Sequence, residues 1–371
     1  MRILSVVGTR PEAIKMAMVA RALSSANGVE HFICATGQHR PMLDSALESF
    51  GLRPDFDLRI MKPGQDLTYV TGSVLTGMTE VLSKLRPDRV LVQGDTTTAL
   101  AAALASFYAK TPVGHVEAGL RSGSVWMPWP EEMNRRLIDS LSDRHYAPTK
   151  RARDNLLAEG VPEEGISLTG NTAIDALLHV VETIKNDPVA IGQLGAALPV
   201  GDARSRLVLV TGHRRENFGP PIEGVCEALL RIAARDDVVV VYSVHPNPNV
   251  SEPVHKILGS HHRIHLVPPL DYLAFVHLMT EACIIITDSG GIQEEAPSLG
   301  KPVLVTREVT ERPEAVEAGT VKLVGTDPDL IVGEAATLLD DQDAYAAMAR
   351  IHNPYGDGHA SKRIVRDLIN D

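Results

Sequence analysis

Short β-branched runs recur along this chain with helical stretches between them, and that alternation limits the fold more than any other feature. Strand-like runs lie at 3–7, 31–35, 89–92, 113–116 and, more weakly, near His145. A second set lies at 207–210, 238–243, 264–266, 284–287 and 303–305. Helical patterns separate them, the clearest at 97–108, 222–235 and 272–280. Strands alternating with helices form βαβ units and parallel sheets. Uninterrupted apolar runs such as 238–241 require strands covered on both faces. A length of 371 residues exceeds one compact core and predicts two domains. The boundary is expected near residue 170, giving 1–170 and 171–354, inside a linking stretch of about 167–205 that holds a helix and a Gly- and Pro-bearing loop. A last helix, about 359–370, follows a turn-rich segment and stands apart from the second sheet. The fold class is therefore α/β: two Rossmann-like, doubly wound parallel-sheet domains facing a central cleft, with ligands at the carboxyl ends of the strands.

Composition removes several function classes. Thirty-six Lys and Arg against 47 Asp and Glu give a net charge of −11, which argues against a general nucleic-acid partner. Cys34, Cys226 and Cys283 are far apart with no CxxC pair, so buried thiols in a reducing compartment are expected. The early apolar run is cut by Gly8-Thr9-Arg10, too soon for a secretory signal, and no segment approaches the roughly 20 apolar residues of a membrane span. A soluble, cytoplasmic protein is expected.

The chemistry should sit directly after the strands. Gly8-Thr9-Arg10-Pro11-Glu12 follows the first, and Arg10 and Lys15 near a helix start suit a phosphate, or are simply solvated cations on a capped helix. Asp95 and Glu117 follow neighbouring strands and should project together, a pairing suited to acid–base work. A helix cap would also explain Asp95; no helix obviously begins at Glu117. Glu131 or Glu132 begins another helix, where the dipole alone accounts for an acid. In the second half, Gly212-His213-Arg214-Arg215-Glu216-Asn217 is polar and basic. Ser289, Gly290 and Gly291 can close around an anion, Glu295 can accept from sugar hydroxyls, and Arg307 and Arg312 follow the next strand. Any one of these loops could be an ordinary βα turn; four together are not readily explained that way. There is no GxGxxG after a strand, Gly300-Lys301 is followed by Pro302 and so is no P-loop, and no GxSxG occurs. His261, His262 and His265 lack partners in metal-binding spacing, so neither a metal nor a nicotinamide cofactor is expected.

The motifs Gly8-Thr9-Arg10-Pro11-Glu12, Gln93-Gly94-Asp95-Thr96-Thr97, His115-Val116-Glu117-Ala118-Gly119, Pro130-Glu131-Glu132, Gly212-His213-Arg214-Arg215-Glu216-Asn217 and Asp288-Ser289-Gly290-Gly291 together resemble the non-hydrolysing bacterial UDP-N-acetylglucosamine 2-epimerases. The match continues to Asn353-Pro354-Tyr355-Gly356-Asp357-Gly358. The resemblance implies a GT-B arrangement in which the last helix, about 355–371, packs back on the first domain. It implies a homodimer that interconverts UDP-GlcNAc and UDP-ManNAc for polysaccharide synthesis, without a cofactor, by eliminating UDP to 2-acetamidoglucal and adding it back. It implies Asp95, Glu117 and Glu131 as the acid–base set and His213 at the departing diphosphate. By the same resemblance, Arg10, Lys15, Ser289, Gly290, Gly291, Glu295 and Arg312 contact substrate, and Phe275 lies beside uracil. Leu270 stands where the family commonly has Gln. Gln38-His39-Arg40 resembles one side of a substrate-activator pocket, but Pro41 and Gly64 replace the usual Gln and Arg, which implies weak or absent activation. The competing readings are a GT-B glycosyltransferase, which needs fewer cleft carboxylates, a hydrolysing relative releasing UDP and ManNAc, and a sensor without turnover.

Overall fold

The computed structural model describes residues 1–38, 40–187, 205–350 and 352–370. His39 and most of the expected linking loop lie outside the described residues, as do the side chains of Arg40 and Pro41. The chain divides into two compact units, one of Met1–Ala176 with Tyr355–Asp371 and the other of Leu177–Pro354.

The first unit is built on seven parallel strands: β1 (Arg2–Val7), β2 (Glu30–Ala35), β3 (Phe56–Asp57), β4 (Arg89–Gln93), β5 (Val113–Val116), β6 (Arg144–Ala147) and β7 (Ile166–Leu168). Their order is β3-β2-β1-β4-β5-β6-β7. The second unit repeats the plan with β8 (Arg206–Gly212), β9 (Val238–Val244), β10 (Ile264–Val267), β11 (Ile284–Thr287), β12 (Val303–Val305) and β13 (Val321–Leu323), ordered β10-β9-β8-β11-β12-β13. In each sheet the chain winds outward from its first strand, then returns to that strand's other side. The reversal falls between β1 and β4, and between β8 and β11. Strand C-ends diverge there, opening a crevice that suits a ligand.

Three strands escaped the sequence reading. β3 (Phe-Asp), β7 (Ile-Ser-Leu) and β13 (Val-Lys-Leu) each include a polar residue and so lack the apolar run that marks the equally short β12, and their neighbours impose extended backbone on them.

Burial explains the central strands. All five residues of β4 are buried, and Val238–Val244 is buried at six of seven positions. The helix Thr97–Tyr108 is rich in Ala on its buried face, which lets it pack closely on the helix Leu67–Leu85. The last helix, Ala360–Asn370, buries Ile364, Val365 and Leu368 and packs on the helix Arg10–Ser24 of the same unit. Asp175 caps it, accepting from the Ala360 and Ser361 amides at 3.1 and 2.8 Å. All three cysteines are free. Among the described residues, no helix is long and apolar enough to cross a membrane.

Candidate functional site

The register brings the first unit's motifs to one level. Ser5 of β1 pairs with Leu91 of β4, and Gln93 of β4 pairs with Val116 of β5. The segments after Val7, Gln93 and Val116 therefore leave adjacent strands side by side at the switch point.

Glu117 is the centre of this group. It is 7% exposed and has a φ of +67°, a left-handed conformation that costs a non-glycine residue on the order of 1 kcal/mol and persists only where the surroundings impose it. The Tyr146 carbonyl accepts its amide at 3.0 Å. Both carboxylate oxygens accept from Lys15 Nζ at 2.7 Å, and the Gln93 amide donates to Oε2. Lys15 is thus committed to Glu117. Its expected place near a helix start holds, but its partner is a carboxylate two strands away. Arg10 is the first residue of the same helix and is half-buried.

Asp95 does not cap the following helix. Thr96 does, accepting from the Ala99 amide at 3.0 Å, and Asp95 is left for other work. Arg135 holds Asp95 Oδ2 through Nε and Nη2 at 2.9 and 2.6 Å, and Asn134 donates to the Asp95 carbonyl at 2.8 Å. Glu131 and Glu132 differ in how they are held. Glu132 is fully buried and takes the Ser122 amide, Arg135 and Arg136 at 2.9, 3.1 and 3.2 Å, so it braces the helix start. Glu131 is half-buried, and among the described residues no hydrogen bond or ion pair holds its carboxylate.

Glu12 was quoted in a motif but given no role. It is 1% exposed and ties two loops together: Oε2 accepts from the Gly8 and Thr9 amides at 3.0 and 2.7 Å, and Oε1 from Thr96 Oγ1 at 2.7 Å. The signal was present, since Thr9-Arg10-Pro11-Glu12 has capping-box spacing. Burial pushes its carboxyl up to about 7, against the lowering by those hydrogen bonds. Its contribution to stability is therefore full below pH 4.5 and is lost as pH rises through 7. Glu12→Ala strands two buried amide donors and is expected to cost about 3 kcal/mol in chemical denaturation at pH 6. Glu12→Gln is expected to cost far less and to flatten the loss of stability between pH 5 and 8.

In the second unit, Thr287 pairs with Thr211 and with Val305, so Gly212-His213, Asp288-Ser289 and Thr306-Arg307 leave three adjacent strands together. Asp288 is 1% exposed and organises them. It accepts from the His213 and Arg214 amides at 3.0 and 2.9 Å and from Asn217 Nδ2 at 3.1 Å. His213 Nδ1 lies 3.3 Å from Asp288 Oδ1, and its ring stacks on His245 at 5.8 Å. Burial holds the His213 imidazole below its ordinary value; Asp288 opposes this, and Arg214, His245 and Arg307 reinforce it.

Ser289 caps the short helix Gly290–Glu295. The Arg312 and Arg214 guanidinium groups lie 3.7 and 3.8 Å from the Cβ position of the buried Gly290. Arg312 is aimed by the buried Glu294, which accepts from its Nε. Glu295 already accepts from Tyr272 Oη at 2.8 Å on one oxygen. Phe275 lies one turn after Tyr272 and is half-buried. Glu216 and Glu311 hold Arg307 in ion pairs, and Glu311 also pairs with Arg214 at 2.8 Å. Among the described residues no cluster of three or more His, Cys, Asp or Glu is placed to hold a metal.

The first unit thus carries carboxylates after its strands, and the second carries cations and a histidine after its own. A sequence model of the UDP-N-acetylglucosamine 2-epimerase family matches residues 21–369. The chain belongs to the UDP-N-acetylglucosamine 2-epimerase family. It is 57% identical over 368 residues to a probable UDP-N-acetylglucosamine 2-epimerase of Ralstonia nicotianae, covering 99% of this chain and 98% of that one. The family's fold is equally close. The UDP-GlcNAc 2-epimerase of Neisseria meningitidis, crystallised with UDP-GlcNAc bound, superposes with a TM-score of 0.94 at 49% identity over 100% of both chains. That of Methanocaldococcus jannaschii, in complex with UDP-GlcNAc and UDP, does so at 0.85 and 34% identity, again over 100% of both.

Proposed function

We propose that this protein is a non-hydrolysing epimerase that interconverts UDP-GlcNAc and UDP-ManNAc, working in the cytoplasm as a homodimer. The observation that carries the reading is Glu117, a buried carboxylate on a left-handed backbone, fixed by Lys15 and Gln93 at the switch point beside the Asp95 turn. C2 of the sugar is not next to a carbonyl, so its proton is barely acidic. Loss of that proton together with the C1–O bond to UDP gives 2-acetamidoglucal and free UDP. Re-addition returns UDP to C1 and a proton to the opposite face of C2, so no oxidant is needed. Two faces require more than one acid–base group, and Asp95, Glu117 and Glu131 fill those roles. Ser289, Gly290, Gly291, Arg312 and His213 stabilise the diphosphate as charge builds on it; Glu295 takes the ribose and Phe275 the uracil. Arg10 contacts substrate, and Lys15 holds the Glu117 carboxylate beside it.

Proton NMR with UDP-GlcNAc in D2O tests this. The expected result is an equilibrium mixture containing UDP-ManNAc deuterated at C2. Free UDP accumulating in step with ManNAc would make the enzyme a hydrolase, and no C2 exchange would overturn the reading.

His213 adds a pH prediction. Its ring is held below the ordinary value in the free protein, so at pH 7.5 it is neutral. A diphosphate beside it favours the charged ring, so UDP binding should take up a proton. Calorimetry in buffers of different ionisation enthalpy is expected to show this uptake at pH 7.5, and His213→Asn to lose most of it.

A further inference from the structure

His115 is a charged-type residue where a parallel strand normally buries an aliphatic one. It is 0% exposed in the middle of the first sheet. Its Nε2 lies 2.8 Å from the Gly94 carbonyl and its Nδ1 2.6 Å from Asp139 Oδ1. A carbonyl can only accept, so Nε2 carries a hydrogen. Arg121 Nη2 stands 2.7 Å from Asp139 Oδ2 and favours the carboxylate. Burial raises the Asp139 carboxyl, but His115 and Arg121 outweigh it and hold it below the usual carboxylate range.

We propose that His115 is a buried ring, anchored by Asp139, that positions the Asp95 turn. Resting on the epimerase reading above, it is a positioning residue: it touches Gly94, not the substrate. The Gly94 peptide is locked to β5 at both ends, because its amide donates to the Val116 carbonyl at 2.9 Å while its carbonyl accepts from His115. The ring is fixed from its other side by Asp139, which Arg121 holds in turn. The next residue is Asp95, and Glu117 lies two positions beyond His115 on β5's own chain. One ring therefore fixes the spacing of two proposed acid–base groups. The charges around it balance. Asp139 and Arg121 face it, Glu159 pairs with Arg121 at 2.6 Å, and His145 on β6 touches the Asp139 carbonyl at 2.9 Å. Arg135 and Glu132 pair with each other on the helix that carries Asp139.

Kinetics of the full-length protein test the role. His115→Gln is expected to lower kcat about 30-fold while the KM for UDP-GlcNAc and the Kd for UDP move less than about threefold. Asp139→Asn keeps the ring but weakens its anchor, and is expected to lower kcat in the same way by a smaller factor. An unchanged kcat in both variants, or a matching loss of UDP affinity, would overturn the proposal. A wild-type protein without epimerase activity would instead overturn the functional reading on which it rests.

Discussion

Asp95→Asn is expected to slow deuterium exchange at C2 by about 10³-fold, inside the range for loss of a general acid or base, while UDP affinity stays within about threefold. The separation follows from the geometry. Arg135 grips one carboxylate oxygen through two nitrogens, and Asn134 holds the backbone carbonyl. An Asn presents an oxygen to the same guanidinium and keeps the turn in place, but its amide cannot take a proton. The groups proposed to hold UDP belong to the other unit. NMR exchange rates and calorimetric UDP binding measure the two sides. Exchange at the wild-type rate would remove Asp95 from the mechanism.

Gly119→Ala is expected to destabilise the first unit by about 4 kcal/mol or more, among the largest effects a single methyl group produces. Gly119 has a φ of +84°, and a Cβ there would stand 2.2 Å from the Ala152 carbonyl oxygen, backbone that cannot move aside cheaply. Gly160 provides the control. Its φ is +87°, yet nothing lies within 4 Å of its Cβ position. Gly160→Ala should cost about 1 kcal/mol, the conformational part alone. The difference between the two denaturation midpoints isolates the clash. Gly119 is also two residues from Glu117, so any folded Gly119→Ala protein should lose C2 exchange as well. Equal costs for the two variants would show that helix 150–158 yields to the added methyl.

The recurrent strand–helix pattern was enough to predict parallel sheets, because buried strands need apolar runs, which are legible even in a strand as short as Val303–Val305. The motifs after those strands were equally legible: His213, Ser289 and Gly290 all leave strand ends at the second switch point, as Asp95 and Glu117 do at the first. What the sequence could not determine was pairing. Lys15 and Glu117 are 102 positions apart, and they meet only because β1, β4 and β5 lie side by side in one register. The same holds for His115 and Asp139, and for Arg312 with the carboxylate behind it. Residue type and local spacing say that a charge is present; the free energy of burying it selects its partner, and that selection is made only where distant strands and helices pack together.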